Sequence, residues 1–118
     1  MTRTPPETLL LLFDRINEQA WDRVAELFTP DARIELAATG EVFDPASFAA
    51  FNASYPGNWR LEVRDLVDSV GRAVVRARVS DPDRAECYQV ASFATVRAGR
   101  ITELTEVWAD ETRPSQRP

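Results

Sequence analysis

The sequence predicts an α+β fold in which about three N-terminal helices pack against one long, curved antiparallel sheet. Hydrophobic residues mostly follow helical spacing in the N-terminal half, and from Trp59 onward they alternate with a period of two. The connections between the later segments are too short for crossover helices, which favours antiparallel neighbours. A chain of 118 residues with no internal repeat or linker predicts a single domain over residues 1–118, with 111–118 as a loose tail.

The N-terminal half carries start and stop signals for helices. In "TPPETLLLLF", Thr4 can cap a helix, proline suits the first helical position and Glu7 completes a capping box, so a helix is predicted to about residue 18. A shorter helix is expected in "AWDRVAELF", where the pair Thr29-Pro30 ends it. The stretch "DPASF" begins a third helix by the same combination of cap and proline, and "DARIELAA" before it is predicted to be the first strand.

Four further strands are predicted at about 59–68, 73–80, 86–97 and 100–109, separated by short turn sequences. The 86–97 strand is apolar on both faces, whereas a sheet usually has one apolar face. One face can pack on the helices, and the other needs a cover, for which a second copy of the chain is the simplest candidate. We therefore predict a homodimer through the outer sheet face, formed by Val75, Ala77, Val79, Tyr88, Val90 and Ala94.

Composition excludes several classes of function. The net charge of −5 argues against binding to nucleic acid or to an anionic membrane. The chain contains no histidine, which removes the commonest general base and metal ligand, and the single Cys87 permits no internal disulfide. No metal and no cofactor are expected. The leucine run near the N-terminus is too short to span a membrane and lacks signal-peptide features, so a cytoplasmic location is expected.

Three stretches resemble the nuclear transport factor 2-like superfamily, and within it the SnoaL-like small bacterial proteins. "AWDRVAELFTPDARIEL" is similar to the second helix and first strand of that family, "FATVRAGRI" to its last hairpin and "ITELTEVWAD" to its final strand. The resemblance implies a cone, with a bent sheet around the helices and a pocket between the sheet and the first helix. It also implies dimerisation through the outer face of the sheet.

The resemblance also permits a residue-by-residue test of the superfamily's active sites. The catalytic positions of ketosteroid isomerases align with Leu12, Leu36 and Ala91, which cannot perform those roles. Polyketide cyclases and scytalone-type dehydratases depend on histidine, which this chain lacks. Limonene-type epoxide hydrolases use an Asp-Arg-Asp set that aligns with Ser80, Arg78 and Glu106, so two of three roles are chemically plausible.

Glu106 is the main candidate for a functional residue. It alternates with Leu104 and Trp108, so all three should point into the cone. An apolar pocket would raise the pKa of its carboxyl group, and an arginine on a neighbouring strand, Arg78 or else Arg76, could pair with it. A structural ion pair, a polar anchor for a ligand and a catalytic group, with Arg78 as its catalytic partner, all remain open. The predicted pocket wall comprises Leu12, Ile16, Leu36, Trp59, Arg76, Ala91, Phe93, Leu104 and Trp108.

Two functions are consistent with this interpretation. The first is a binding domain that holds a small apolar molecule in the pocket. The second is a lyase, isomerase or hydrolase, epoxide-hydrolase-like or cyclase-like, that acts on a small apolar substrate by acid–base chemistry at Glu106.

Overall fold

A curved six-stranded sheet wraps around three helices in the computed structural model, which describes residues 2–111. The predicted α+β class is confirmed. The elements in chain order are α1 (Pro5–Asn17), α2 (Trp21–Val24), a 3₁₀ turn (Ala25–Leu27), β1 (Phe28–Leu36), β2 (Glu41–Phe43), α3 (Pro45–Ser54), β3 (Arg60–Ser69), β4 (Arg72–Ser80), β5 (Cys87–Arg97) and β6 (Arg100–Asp110).

The first helix begins where the capping residues predict. The Glu7 backbone N–H donates to Thr4 Oγ1 at 3.3 Å, and the Thr4 N–H donates to Glu7 Oε1 at 2.8 Å, which satisfies two otherwise unpaired donors. Such a cap contributes about 1 kcal/mol to stability. The helix then buries Leu9, Leu12 and Phe13 against the concave face of the sheet.

The sheet has the strand order β2-β1-β6-β5-β4-β3. The four C-terminal strands form the predicted antiparallel meander. β1 lies parallel to β6, with Leu36 opposite Glu106, so the sheet is mixed rather than wholly antiparallel. β6 consequently has a hydrogen-bonded strand on both sides. The short β2 was not predicted from the sequence.

The strand faces assigned to a dimer contact were the wrong ones. Val75, Ala77, Val79, Val90 and Ala94 are all at most 4% exposed, because they point towards the helices and form the core. Tyr88, opposite Val79, lies on the same inner face. The physical reason is the cost of burying charge: the alternating residues Arg76 and Arg78 remain on the solvent side when the valines fill the core.

The outer face of the sheet mixes charged and apolar side chains. Register places Arg76, Ala91 and Val107 in one row across three strands, and Val74, Phe93 and Thr105 in the next. Phe93 is 36% exposed and Val107 is 44% exposed. The homodimer remains a prediction, and a dimer through the outer sheet face would have to use the residues of these two rows.

The predicted loose tail at 111–118 lies outside the described residues except for Glu111. The backbone N–H of Glu111 donates to the Cys87 carbonyl at 3.0 Å, so the chain stays paired with β5 at that point. Within residues 2–111, no helix is long and apolar enough to cross a membrane.

Candidate functional site

A cavity of about 400 Å³ opens between the helices and one end of the sheet. Its volume lies in the range of small-molecule pockets. Side chains from α1, α2, α3, the loops around them and five strands form its wall. These residues are Phe13, Ile16, Gln19, Trp21, Leu36, Ala38, Thr39, Phe51, Asn52, Ala53, Tyr55, Gly57, Trp59, Leu61, Val79, Tyr88, Glu106, Trp108 and Asp110.

The end of α1 is fastened to β3 at the edge of this cavity. The Asn17 amide Nδ2 donates to the Leu61 carbonyl at 2.9 Å, and the Leu61 backbone N–H donates to Asn17 Oδ1 at 2.7 Å. This reciprocal pair provides hydrogen-bond partners for the backbone N–H and C=O of Leu61 on an edge strand, and it fixes the distance between helix and sheet. Ile16 and Leu61, which line the cavity, are therefore held on rigid elements.

Glu106 lies in the middle of β6 and faces the cavity. Its side chain is buried, with 7% of the residue exposed. Trp108 Nε1–H donates to Glu106 Oε1 at 3.2 Å, and Ser92 Oγ–H donates to Glu106 Oε2 at 3.5 Å. Burial raises the pKa of the Glu106 carboxyl from 4.5 to about 7, and the two hydrogen bonds lower it by a smaller amount. Near neutral pH this group therefore exists in both protonation states.

The expected arginine partners of Glu106 lie on the other face of the sheet. Arg78 Nε and Nη2 donate to the two carboxylate oxygens of Glu111 at 2.9 and 3.2 Å. Arg76 contacts Gln89 at 3.0 Å and Asp65 at 3.8 Å. The prediction of an Arg78–Glu106 pair was wrong. Register places Arg78 beside Gln89 on the outer face of the sheet, whereas Glu106 lies beside Ser92 on the inner face. Within the described residues, Glu106 has no salt-bridge partner.

Three aromatic rings form the sheet-side wall of the cavity. The Tyr88 ring lies between Trp59 and Trp108, with centroid distances of 5.6 and 6.3 Å. Trp59 Nε1–H donates to the Pro56 carbonyl at 2.9 Å, which orients the indole. Tyr88 Oη–H donates to Glu86 Oε2 at 2.7 Å, and this bond to the neutral phenol raises the pKa of Tyr88. The wall thus combines flat apolar rings with satisfied polar atoms.

The loop that carries Trp59 is held by Asp81, which is 4% exposed. Asp81 accepts the backbone N–H groups of Asp83 at 2.8 Å and Asn58 at 2.7 Å, and these bonds lower the pKa of its carboxyl. Arg84 pairs with Asp81 at 3.5 Å and lies over the Trp59 ring, 5.8 Å from its centroid. The position of Trp59 is therefore set by a polar cluster outside the cavity.

The structure brings together only part of the predicted pocket wall. Ile16, Leu36, Trp59, Glu106 and Trp108 line the cavity. Leu12 and Leu104 are buried in the core instead. The predictions for Arg76, Ala91 and Phe93 were wrong, because these three residues share the outer face with Arg78.

Several residues of the site were missed at the level of sequence. Tyr88 and Ser92 lie on the inner face of β5, where Tyr88 lines the cavity and Ser92 contacts Glu106. Side chains two residues apart in a strand share a face, so placing Val90 in the core would have predicted that Tyr88 and Ser92 also point inward. Phe51 and Tyr55, from α3 and its end, carry no sequence signal that separates a pocket wall from a core.

No group of three or more histidine, cysteine, aspartate or glutamate side chains in residues 2–111 is arranged to hold a metal ion. The side-chain groups of the described cavity wall that could coordinate a metal ion are the carboxyl groups of Glu106 and Asp110, together with neutral oxygen and nitrogen atoms. The absence of a bound metal stays a prediction of the sequence. The chemistry of the site itself consists of one buried carboxyl group, a hydroxyl group and aromatic surface.

Fold and site together define a cone-shaped α+β protein with an apolar pocket and a buried carboxyl group at its wall. The SnoaL-like domain family matches residues 10–104, so the chain belongs to the SnoaL-like domain family of the nuclear transport factor 2-like superfamily. The family suggested by the sequence stretches is thereby confirmed.

Solved structures agree with this assignment. A proposed ketosteroid isomerase from Kribbella flavida is 28% identical, with a TM-score of 0.83 over 98% of this chain and 84% of that protein. IdmH, a proposed polyketide cyclase from Streptomyces antibioticus, is 21% identical, with a TM-score of 0.75 over 90% of this chain and 92% of that protein. A proposed polyketide cyclase from Sinorhizobium meliloti is 24% identical, with a TM-score of 0.70 over 86% and 94% of the two chains. A search of curated proteins finds no significant match.

Proposed function

We propose that this protein binds a small, largely apolar molecule in the cavity and uses Glu106 as the polar anchor. The observation that carries the proposal is a buried carboxyl group with no cationic partner among the described residues, facing a cavity of about 400 Å³ with an aromatic wall. A buried ionisable group is costly unless it is paired, hydrogen-bonded or protonated, so a carboxyl group without a cationic partner in residues 2–111 leaves a polar partner for a ligand to supply. Here Ser92 and Trp108 each supply one hydrogen bond.

Binding can be tested with N-phenyl-1-naphthylamine, an uncharged dye that becomes fluorescent in apolar surroundings. We expect saturable binding that is weakened at least about tenfold by Ala53→Trp, because the new indole would occupy the cavity. Ala50→Trp is the matched control, since Ala50 is exposed on the same helix but does not line the cavity. A dye that fails to saturate, or that binds both variants equally, would contradict the proposal.

A second candidate function is acid–base catalysis on the bound molecule. The observation that favours it is the pKa of Glu106 near 7, where a carboxyl group can both accept and donate a proton at neutral pH. The Kribbella flavida protein is a proposed ketosteroid isomerase, which supports acid–base chemistry in general; Leu12, Leu36 and Ala91 stand at the catalytic positions of that reaction here and do not support the reaction itself. An arrangement like that of epoxide hydrolases is disfavoured, because Arg78 lies on the opposite face of the sheet.

The two functions predict different fates for the ligand. A binding protein returns its ligand unchanged, whereas an enzyme converts it at a rate that depends on Glu106. Molecules that copurify can be extracted, identified by mass spectrometry and incubated again with the protein. Conversion that is lost in Glu106→Gln would establish catalysis, and recovery of the unchanged molecule would establish binding alone.

A further inference from the structure

We propose that the ligand of this pocket is a hydrophobic organic cation, an amine or a quaternary ammonium compound. The inference rests on the proposed function, because it names the class of molecule that the same cavity accepts. Three features support it: the sign of the charges that line the cavity, the lack of a salt-bridge partner for Glu106 within residues 2–111 and the arrangement of the aromatic rings.

The charged groups of the cavity are all acidic within the described part of the chain. Glu106 and Asp110 line it, and none of the arginines in residues 2–111 does. This is unusual for a chain with 14 basic residues, all of them arginine. Among the described residues, an anion entering the cavity would meet two carboxyl groups and no arginine of the cavity wall, whereas a cation would be attracted.

Burial of Glu106 makes the preference strong. Within residues 2–111 its carboxylate has no counter-ion, so an ammonium group in the cavity would supply one. Neutral ligands leave this carboxyl group with only its bonds to Trp108 and Ser92. Charge complementarity therefore discriminates between a cation and a neutral molecule of the same shape.

The aromatic wall suits the alkyl groups of such a cation. The rings of Trp59, Tyr88 and Trp108 follow one another along the wall, and ring faces attract ammonium groups, with tryptophan the most effective. Phe51 and Tyr55 add a second aromatic pair on the helix side, 5.9 Å apart. Trp59 already carries the Arg84 guanidinium over its ring, so Tyr88 and Trp108 are the rings to which we assign the ligand.

The experiment uses three probes of nearly equal shape. They are benzyltrimethylammonium, which is a permanent cation, neopentylbenzene, which is its neutral isostere, and phenylmethanesulfonate, which is an anion. Affinities are measured at pH 8 by ligand-observed NMR. We expect the cation to bind at least about tenfold more tightly than the neutral probe, and the anion to bind more weakly than both.

Two variants test whether Glu106 causes the preference for the cation over the neutral probe. Glu106→Gln is expected to reduce the affinity for the cation at least about tenfold and to leave that for neopentylbenzene unchanged within about threefold. Glu103→Gln is the matched control, because Glu103 is exposed on the same strand and outside the cavity. Thermal melting checks that both variants are folded.

The pH dependence gives a further readout. The permanent cation does not titrate, and Asp110, Tyr55 and Tyr88 are the other titratable groups among the described residues of the cavity. Since the pKa of Glu106 is about 7, the carboxyl group must lose a proton to pair with the cation below that pH. The affinity should fall about tenfold from pH 8 to pH 6 in the wild-type protein and stay nearly constant in Glu106→Gln.

The possible outcomes separate the two proposals. If neopentylbenzene binds as tightly as the cation, or phenylmethanesulfonate binds best, the cavity is a binding site but the inference of a cationic ligand is wrong. If Glu106→Gln leaves the preference for the cation intact, the assignment to Glu106 is overturned. If none of the three probes binds but N-phenyl-1-naphthylamine binds saturably, the inference fails and the proposed binding function stands. If the dye also fails to bind saturably, both fail.

Discussion

Replacement of Glu106 by glutamine should stabilise the protein above pH 7 and have little effect well below pH 4.5. The folded state holds the pKa of Glu106 at about 7, whereas the ordinary value is 4.5. Well below pH 4.5 the carboxyl group is neutral in both the folded and the unfolded chain. Between 4.5 and 7 the unfolded chain releases the proton first, so the free energy of unfolding falls as the pH rises.

The size of the effect follows from the difference between the two pKa values. One pH unit corresponds to about 1.4 kcal/mol, so a rise from 4.5 to about 7 corresponds to about 3 kcal/mol of stability lost above pH 7. Glutamine has a similar shape and carries no charge at any of these pH values. Its carbonyl oxygen can still accept the Trp108 N–H, and its amide can donate to Ser92 Oγ.

Urea unfolding, followed by tryptophan fluorescence at pH 5, 6, 7 and 8, measures this difference. The stability of Glu106→Gln relative to the wild-type protein should rise from about 1 kcal/mol at pH 5 to about 3 kcal/mol at pH 8. The other carboxyl groups are common to both proteins and cancel in the comparison, and Glu103→Gln should show no such trend. A difference that is independent of pH, or a variant that is less stable at pH 8, would refute the argument that burial controls this carboxyl group.

Three further predictions concern other parts of the molecule. Arg78→Gln should leave dye binding in the cavity unchanged within about twofold, because Arg78 pairs with Glu111 on the opposite face; loss of binding would show that the arginine reaches the cavity. Gly57→Ala should destabilise the protein by about 1–3 kcal/mol in urea unfolding, because φ is +118° and the new Cβ would lie 2.8 Å from Trp59 Nε1; an unchanged midpoint would contradict this. If the outer sheet face forms a homodimer, Phe93→Arg should sediment as a monomer where the wild-type protein does not, whereas a wild-type monomer at micromolar concentration would exclude the dimer.

The helices and the C-terminal meander could be predicted because their signals are local. The capping box at Thr4 and Glu7 and the short turns between the last four strands act over a few residues. The parallel pairing of β1 with β6 could not be predicted in this way. It joins residues that are far apart along the chain, and nothing in either strand specifies its neighbour.

The face of each strand was the main source of error at the site. Both faces of β5 are apolar, so hydrophobicity alone does not decide whether Val90 or Ala91 points inward. The pattern of β4 decides the question, because its alternating arginines must face solvent. Register pairs Arg76 with Ala91, so Ala91 also points outward and Val90 points into the core. Glu106 was placed correctly because its own strand has buried Leu104 two residues before it. Its lack of an arginine partner among the described residues could not be predicted, because it depends on the register of β4, β5 and β6, which puts the arginines of β4 on the other face of the sheet.

The position of β6 between β1 and β5 has a consequence for how the pocket comes into existence. Leu36 and Glu106 pair across a separation of about 70 residues, so this part of the sheet closes a long loop and raises the contact order of the fold. During synthesis from the N-terminus, the helices emerge well before the strand that carries Glu106. The pocket wall, to which β6 contributes Glu106, Trp108 and Asp110, is therefore incomplete until residue 110 has left the ribosome.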